Sequence, residues 1–170
     1  DYAIIQAGSR GYETGRLNED PNFKKNMDGA TTNGIKVGVS FHSQAINREE
    51  IDEEIELIMN SIKGYDLDYP IGITLLQEEN FRTSDLTYSD YVDLIKYFCN
   101  RIKQNKYTPM IMGAADWFEQ FSEGKYFDGY LKMVYAPDGP PSDINDCIIW
   151  IYRANSKKLV NGIKDDLVVA

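Results

Sequence analysis

The sequence predicts an α/β fold with a mainly parallel β-sheet. Short apolar runs alternate with amphipathic segments through most of the chain, which is the pattern of successive strand and helix units. The run at residues 71–76 is continuous rather than alternating in apolar character, as expected for a buried parallel strand. Near the C-terminus the runs follow one another without helical segments between them, so bare strands are predicted there.

The first predicted helix lies between two predicted strands, residues 2–7 and residues 35–41. Asp20 followed by Pro21 predicts its start, because a carboxylate caps the first turn and proline is tolerated at the first helical position. Gly34 predicts its end, since glycine readily adopts the left-handed conformation that follows a helix.

A second helix is predicted to start at Asn47, where Glu50 three residues later completes a capping box, and to end at Gly64. Its buried face is predicted by an apolar stripe at helical spacing, which comprises Ile51, Ile55, Ile58, Met59 and Ile62. The acidic residues of the segment are predicted on its outer, solvated face; they are Glu49, Glu50, Glu53, Glu54 and Glu56.

A third strand is predicted at residues 71–76 and a fourth at residues 108–113. The helix between them is predicted to start at Thr87 or Ser89, and a short helical turn is predicted at residues 116–121. The bare strands are predicted at residues 131–135, 148–152 and 159–169, with Pro137, Pro140 and Pro141 marking a loop.

Length and composition predict a single domain over residues 1–170, since 42% apolar residues are enough for one core. The net charge of −9 disfavours binding to nucleic acid phosphates or to anionic membranes. The N-terminus lacks a charged and then apolar leader, and the sequence contains no run of 18 apolar residues, so we expect a soluble chain that is a fragment or a mature form.

Neither a metal nor another cofactor is predicted. The sequence contains one histidine, His42, and no Cys-x-x-Cys pair. Cys99 falls in a helical pattern and Cys147 opens an apolar strand, so buried free thiols are favoured over a disulfide.

A long ordered motif stands near the N-terminus, where Ala3-Ile4-Ile5-Gln6-Ala7-Gly8-Ser9-Arg10-Gly11-Tyr12 is similar to "VIIRAGxRGY". Weaker matches follow at Tyr107-Thr108-Pro109-Met110-Ile111-Met112 and at Trp150-Ile151-Tyr152, where the family has "WQY". On these residues the chain resembles family 25 of the glycoside hydrolases, the lysozyme-type N-acetylmuramidases that cut the muramic acid linkages of bacterial peptidoglycan.

The resemblance implies a TIM-like (β/α)5(β)3-type barrel that is helical in its first half and antiparallel in its last. Family members begin with an additional strand that carries an active-site Asp, so this chain is expected to form a barrel that is incomplete at the N-terminus. Exposed sheet edges invite another strand. A homo-oligomer or a strand-donating partner at the open barrel edge is therefore expected.

The resemblance also places catalytic carboxylates where this chain has none. In the family the fourth strand ends with an Asp and a Glu, whereas this chain has Thr74 and Leu76 at those positions. Glycoside hydrolysis requires an acid and a second group, which are usually two carboxylates. The chain is therefore predicted to be inactive, with Glu78 on a bulged strand end and Asp166 near the C-terminus as possible substitutes.

Residues at predicted strand and loop ends are candidates for sugar contacts, because carbohydrate grooves combine flat aromatic rings with a few convergent polar groups. The candidates are Gln6, which stands where the family has Arg, and Tyr12, His42, Ser43, Gln44, Tyr135, Trp150 and Tyr152.

Three functional readings follow. The first is a non-catalytic module that binds peptidoglycan, a related carbohydrate or a partner. The second is an active peptidoglycan-cleaving lysozyme that uses Glu78, Asp166 and residues outside this chain. The third is a protein-interaction module that uses the open barrel edges. The resemblance implies an extracellular or cell-wall-associated location and a bacterial or phage origin.

Overall fold

The computed structural model describes residues 1–75, 80–121 and 125–152. The predicted α/β class is confirmed, since seven strands within these residues belong to a mostly parallel sheet. Residues 1–110 and 111–170 form two compact units, and the single domain over residues 1–170 stays a prediction. The predicted strand at residues 159–169 lies outside the described residues.

The helices and strands follow the predicted order closely. The first unit contains β1 (Tyr2–Arg10), β2 (Leu17–Glu19), α1 (Phe23–Thr32), β3 (Lys36–Ser43), α2 (Arg48–Ser61), β4 (Ile71–Leu75) and α3 (Tyr88–Gln104). Strand β5 (Pro109–Ala114) crosses the boundary, and α4 (Ala115–Gln120), β6 (Leu131–Tyr135) and β7 (Cys147–Ile151) follow in the second unit.

Strands β1, β3 and β4 of the first unit are parallel neighbours, with β2 at the outer edge of β1. Helices α1 and α2 contact β1 and β3, while α3 contacts β4 and α2. The core between the helices and the strands includes Val39, Phe41, Ile58 and Phe98, all fully buried. Burial of these apolar side chains stabilises the unit by about 25 cal/mol per Å² removed from water.

The start of α1 differs from the prediction. The helix begins at Phe23 rather than at Asp20 and Pro21. The Asp20 carboxylate accepts a hydrogen bond from the Asn22 backbone N–H at 2.8 Å, which closes a local turn. Aspartate favours such turns as well as helix caps, and here Asp20 starts the turn between β2 and α1, three residues before the helix.

The predicted starts of α2 at Asn47 and of α3 at Thr87 are confirmed. The Asn47 side chain accepts from the backbone N–H of Glu50, and Thr87 forms a full capping box with Asp90. The carboxylate of Glu50 accepts from the backbone N–H of Ile46 rather than from that of Asn47, so the predicted capping box is only half formed. Gly64 has a φ of +92°, as expected for a glycine that ends a helix.

Strands β6 and β7 pair in parallel, so the antiparallel arrangement expected for the last half is wrong for this pair. Met133 lies opposite Ile149, and Tyr135 lies opposite Ile151. The connection between the strands contains Pro137, Pro140 and Pro141. Parallel pairing requires this connection to lead from the end of β6 back to the start of β7, which a tight hairpin cannot do.

Strand β2 was not predicted, because three residues are too short to carry a periodic pattern. It pairs antiparallel with the end of β1, from Gly8 to Arg10. A Cβ at Gly8 would lie 2.4 Å from the carbonyl oxygen of Asn18, so this close pairing requires glycine.

Both cysteines are free thiols, as predicted. Cys99 is buried, and burial raises the pKa of its thiol to about 12, whereas Cys147 is only half-buried. Among the helices that the structure describes, none is both long enough and apolar enough to cross a membrane.

Candidate functional site

A row of polar side chains follows the carboxyl ends of the first unit's parallel strands. Ser9 pairs with His42 and His42 pairs with Thr74, while Gln6 pairs with Ser40. Residues paired across strands point to the same side of a sheet, so Gln6, Ser40, His42 and Thr74 share one face. Gln6 is exposed and the other three are half-buried, in contrast to Phe41 on the opposite face.

The structure brings Tyr12 and His42 together at this end of the sheet. The Tyr12 hydroxyl lies 2.8 Å from Nε2 of His42, and the two ring centroids are 5.5 Å apart. Phe81 packs on the other side, with its ring centroid 5.3 Å from that of Tyr12. Tyr12 remains 37% exposed, so part of an aromatic ring is available to a ligand.

Ser43 and Gln44 do not reach the surface. Both side chains are fully buried. The Ser43 hydroxyl accepts a hydrogen bond from the backbone N–H of Ala45, and the side-chain carbonyl of Gln44 accepts one from the Thr83 hydroxyl. Contact of these two side chains with a sugar stays a prediction, and in this structure both make hydrogen bonds within the protein.

A buried charge cluster that the sequence analysis did not find lies behind the row. Arg10 is 3% exposed and donates to a carboxylate oxygen of Glu54 at 2.8 Å, to one of Glu53 at 2.9 Å and to the carbonyl of Glu50 at 2.8 Å. Arg10 also donates to the carbonyl of Gly15 at 2.7 Å, and its Nε lies 3.9 Å from a carboxylate oxygen of Glu50. The guanidinium therefore ties the end of β1 to α2 and to the turn that follows β1.

The prediction that Glu54 lies on a solvated helix face is wrong, because its side chain is fully buried. Its position shows why: Glu54 is three residues after Ile51 and four before Ile58, on the buried stripe of α2. Helical spacing therefore contained the signal. Arg10 supplies the opposite charge that such a site needs.

Burial raises the pKa of Glu54 from the ordinary 4.5 to about 7, although Arg10 opposes the shift. The folded protein thus holds this proton more tightly than the unfolded chain does. Glu54 contributes stability that is fully present below pH 4.5 and is lost as the pH rises through about 7.

We expect the titration of Glu54 to be detectable when the stability of the wild-type protein is compared with that of Glu54→Gln. The free energy of unfolding of the wild-type protein, relative to that of the variant, should fall between pH 4.5 and about 7 and level off above. Urea titrations at several pH values measure this difference. Curves that stay parallel over the whole range would show that Glu54 does not titrate in this window.

The second unit holds a cavity of about 560 Å³ at the carboxyl ends of β5 and β6. Tyr135, which is 38% exposed, and Ala114 line it from the two strand ends. Helix α4 and the loop between β6 and β7 add a set of carboxylates that the sequence analysis did not single out; they are Asp116, Glu119, Asp138 and Asp143. Asp116 follows β5 almost directly, and that position at a strand end was the available signal.

Trp150 and Tyr152 lie at the end of β7, with ring centroids 5.5 Å apart. Trp150 donates from its indole N–H to the carbonyl of Ala136 at 2.8 Å, which joins the ends of β6 and β7. Tyr152 is 42% exposed. Of these two predicted contact residues, the tryptophan has an evident structural role and the tyrosine presents its ring to solvent.

Three predicted positions, Leu76, Glu78 and Asp166, lie outside the described residues. Within the part of the chain that the structure describes, no group of three His, Cys, Asp or Glu side chains is arranged to hold a metal ion.

Solved structures share this fold at low sequence identity. The modular autolysin LytC from Streptococcus pneumoniae, solved with a synthetic peptidoglycan ligand, has a TM-score of 0.78 and 18% identity over 97% of this chain. GHIP, a glycosyl hydrolase 25 of Streptococcus pneumoniae that participates in host cell invasion, has a TM-score of 0.77 and 16% identity over 98% of this chain and 74% of its own. A muramidase from Trichobolus zukalii has a TM-score of 0.67 and 19% identity, covering 89% of this chain and 75% of its own.

This chain spans 39% of the LytC chain. No curated protein matches it. The family model described as glycosyl hydrolases family 25 matches residues 12–157, far more than half of the sequence. The chain therefore belongs to glycosyl hydrolase family 25.

Proposed function

We propose that this chain is a family 25 domain that binds peptidoglycan or a related glycan without hydrolysing it. The observation that carries the proposal is the position of Thr74. It lies at the carboxyl end of β4 and faces the polar row beside His42, where the family resemblance leads us to expect an aspartate. A hydroxyl group does not protonate a leaving oxygen at neutral pH, and the loss of a general acid costs about 10²–10⁴ in rate.

Glycan binding is supported by the aromatic rings near the strand ends. Sugars present apolar ring faces and many hydroxyl groups, so their sites combine aromatic rings with hydrogen-bond acceptors. In the first unit Tyr12 and Phe81 form such a surface beside His42. In the second unit Tyr135 lines a cavity whose carboxylates can accept hydrogen bonds from hydroxyl groups.

A peptidoglycan suspension tests both halves of the proposal. We expect the protein to sediment with insoluble peptidoglycan and to leave the turbidity of the suspension unchanged. Tyr12→Ala should reduce the sedimented fraction, because it removes the partly exposed ring at the strand end. The matched control is Tyr2→Ala, which removes a tyrosine ring that is 38% exposed at the amino end of β1, the opposite end of that strand from the row.

Clearing of the suspension would overturn the non-catalytic proposal and favour the active-lysozyme reading. Glu78→Gln and Asp166→Asn would then identify the carboxylates, since either substitution should stop the clearing if its residue is the acid or its partner.

The protein-interaction alternative is favoured by one observation on β1. Strand β2 covers only Gly8 to Arg10 of its outer edge, and no other described strand pairs with residues 2–6 on that side. Such an edge can accept a strand from a second copy or from another protein. Under this alternative the protein stays in solution with peptidoglycan, and light scattering shows a dimer or a complex.

The proposed location is extracellular or associated with a cell wall, and the proposed origin is bacterial or phage. Support comes from the peptidoglycan ligand of LytC and from the description of that protein as an autolysin.

A further inference from the structure

We propose that the ion pair of Arg82 with Glu50 holds the segment after β4, here residues 80–82, against the turn after β1, residues 11–16. We call this ion pair and its contacts the lock, and we propose that it positions Tyr12 against His42 for glycan binding. The proposal rests on the proposed function, because Tyr12 belongs to the suggested binding surface. The lock itself is a feature of the fold that can be tested without a glycan.

The turn after β1 carries Tyr12 and is closed by its own backbone. Gly11 donates to the carbonyl of Arg16 at 2.9 Å, and Gly15 donates to the carbonyl of Gly11 at 3.0 Å. Gly15 has a φ of +65°, which disfavours any other residue. The carbonyl of Gly15 accepts from Arg10, so the base of the turn is held from inside the protein.

The segment after β4 packs on this turn through two adjacent residues. The ring of Phe81 lies against the ring of Tyr12, and the backbone N–H of Arg82 points to the carbonyl of Tyr12 at 3.4 Å. The Arg82 guanidinium lies directly on Gly15, because a Cβ at that glycine would be 2.1 Å from its Nη1 atom. Any side chain on Gly15 would displace the arginine.

Glu50 connects both segments to α2. One carboxylate oxygen accepts from Arg82 at 2.6 Å, the other accepts from the backbone N–H of Ile46 at 3.0 Å, and the carbonyl accepts from Arg10. Arg82 and Glu50 are 15% and 18% exposed, so their ion pair is screened less than a surface pair. Glu50, in the first turn of α2, therefore contacts Arg82 directly and reaches the turn that carries Tyr12 through Arg10.

The consequence concerns the hydrogen bond between the Tyr12 hydroxyl and His42. Tyr12 is partly exposed, and a free tyrosine side chain would sample several rotamers. Contacts from Phe81 and from the locked turn reduce that freedom before a ligand arrives. A site that is ordered in advance loses less entropy on binding, so the lock is expected to increase glycan affinity.

His42 is the single histidine of the chain, so its imidazole signals in NMR report on this contact without ambiguity. We expect Arg82→Gln to move the imidazole chemical shifts of His42 toward those of Tyr12→Phe, which lacks the hydroxyl. The matched control is Arg48→Gln, which breaks an ion pair with Asp93 at a site where Arg48 is 57% exposed. This control should leave the His42 signals as in the wild type.

Glycan affinity is the second readout, measured by titration with soluble peptidoglycan fragments. Arg82→Gln should weaken binding about tenfold, the equivalent of one charge-assisted hydrogen bond, and Arg82→Lys should recover part of it. Arg82→Lys also serves as the test variant if Arg82→Gln does not fold. Arg48→Gln should bind as the wild type does.

The outcomes separate the lock from the proposed function. Wild-type His42 signals in both Arg82 variants would overturn the lock, whatever the affinities are. Altered signals together with unchanged affinity in Tyr12→Phe and Tyr12→Ala would confirm the lock and overturn its role in binding, because the glycan then does not use this surface.

Discussion

Arg10→Ala is expected to lower the free energy of unfolding by about 3–5 kcal/mol at pH 8, the usual result of breaking a buried ion pair from one side. The substitution leaves Glu54 fully buried without its cation and deprives Gly15 and Glu50 of a donor to their carbonyls. Urea denaturation followed by circular dichroism measures the loss. The loss should be smaller at pH 5, because burial raises the pKa of Glu54 to about 7 and a protonated Glu54 carries no charge to compensate.

The control for this prediction is Arg48→Ala. Its ion pair with Asp93 is about half exposed on both sides and is screened by solvent, so its loss should change stability far less than the loss of Arg10 does. Equal effects of the two substitutions would mean that the buried cluster around Arg10 is no more important than a surface pair.

Phe98→Ala is expected to lower the free energy of unfolding by about 3–5 kcal/mol, because it removes a fully buried ring and leaves a cavity. Phe98 lies on the apolar face of α3 together with Leu94, Ile95 and Ile102, and α3 contacts β4 and α2. Thermal unfolding by calorimetry should show a clearly lower Tm.

Tyr88→Ala on the same helix provides the comparison. Its ring is 55% exposed, so this truncation should change stability by less than about 0.5 kcal/mol. A small effect of Phe98→Ala would indicate that α3 is not held by its apolar face. The apolar residues at helical spacing in α3 would then contribute little to the stability of the fold.

Local sequence patterns were reliable where the physical cause is local. Helix α2 begins after Asn47 and α3 begins after Thr87 because the side chain of the first residue satisfies backbone N–H groups of the first turn. The same reasoning misplaced the start of α1, where Asp20 forms a turn instead of a cap. The Asp20 carboxylate can accept a local hydrogen bond either in a turn or in a helix cap, and the sequence does not distinguish between these two outcomes.

The candidate site was only partly accessible from the sequence. Thr74 and His42 were identified at strand ends, but their neighbourhood depends on the register of β3 and β4. The hydrogen bond from Tyr12 to His42 joins residues 30 positions apart, and the contact of Arg82 with Glu50 joins residues 32 positions apart. Such contacts follow from packing of separate segments, which periodicity in one segment does not describe.

The sequence by itself determined the α/β class, the order of the helices and strands, and the absence of an acid at position 74, because each of these is a property of a short window of residues. Only the tertiary structure decided that β6 and β7 run parallel, that Glu54 is buried against Arg10, and that Tyr12 is held against His42. These features depend on which distant groups share a low-dielectric interior or a strand edge, and that is settled when the segments pack.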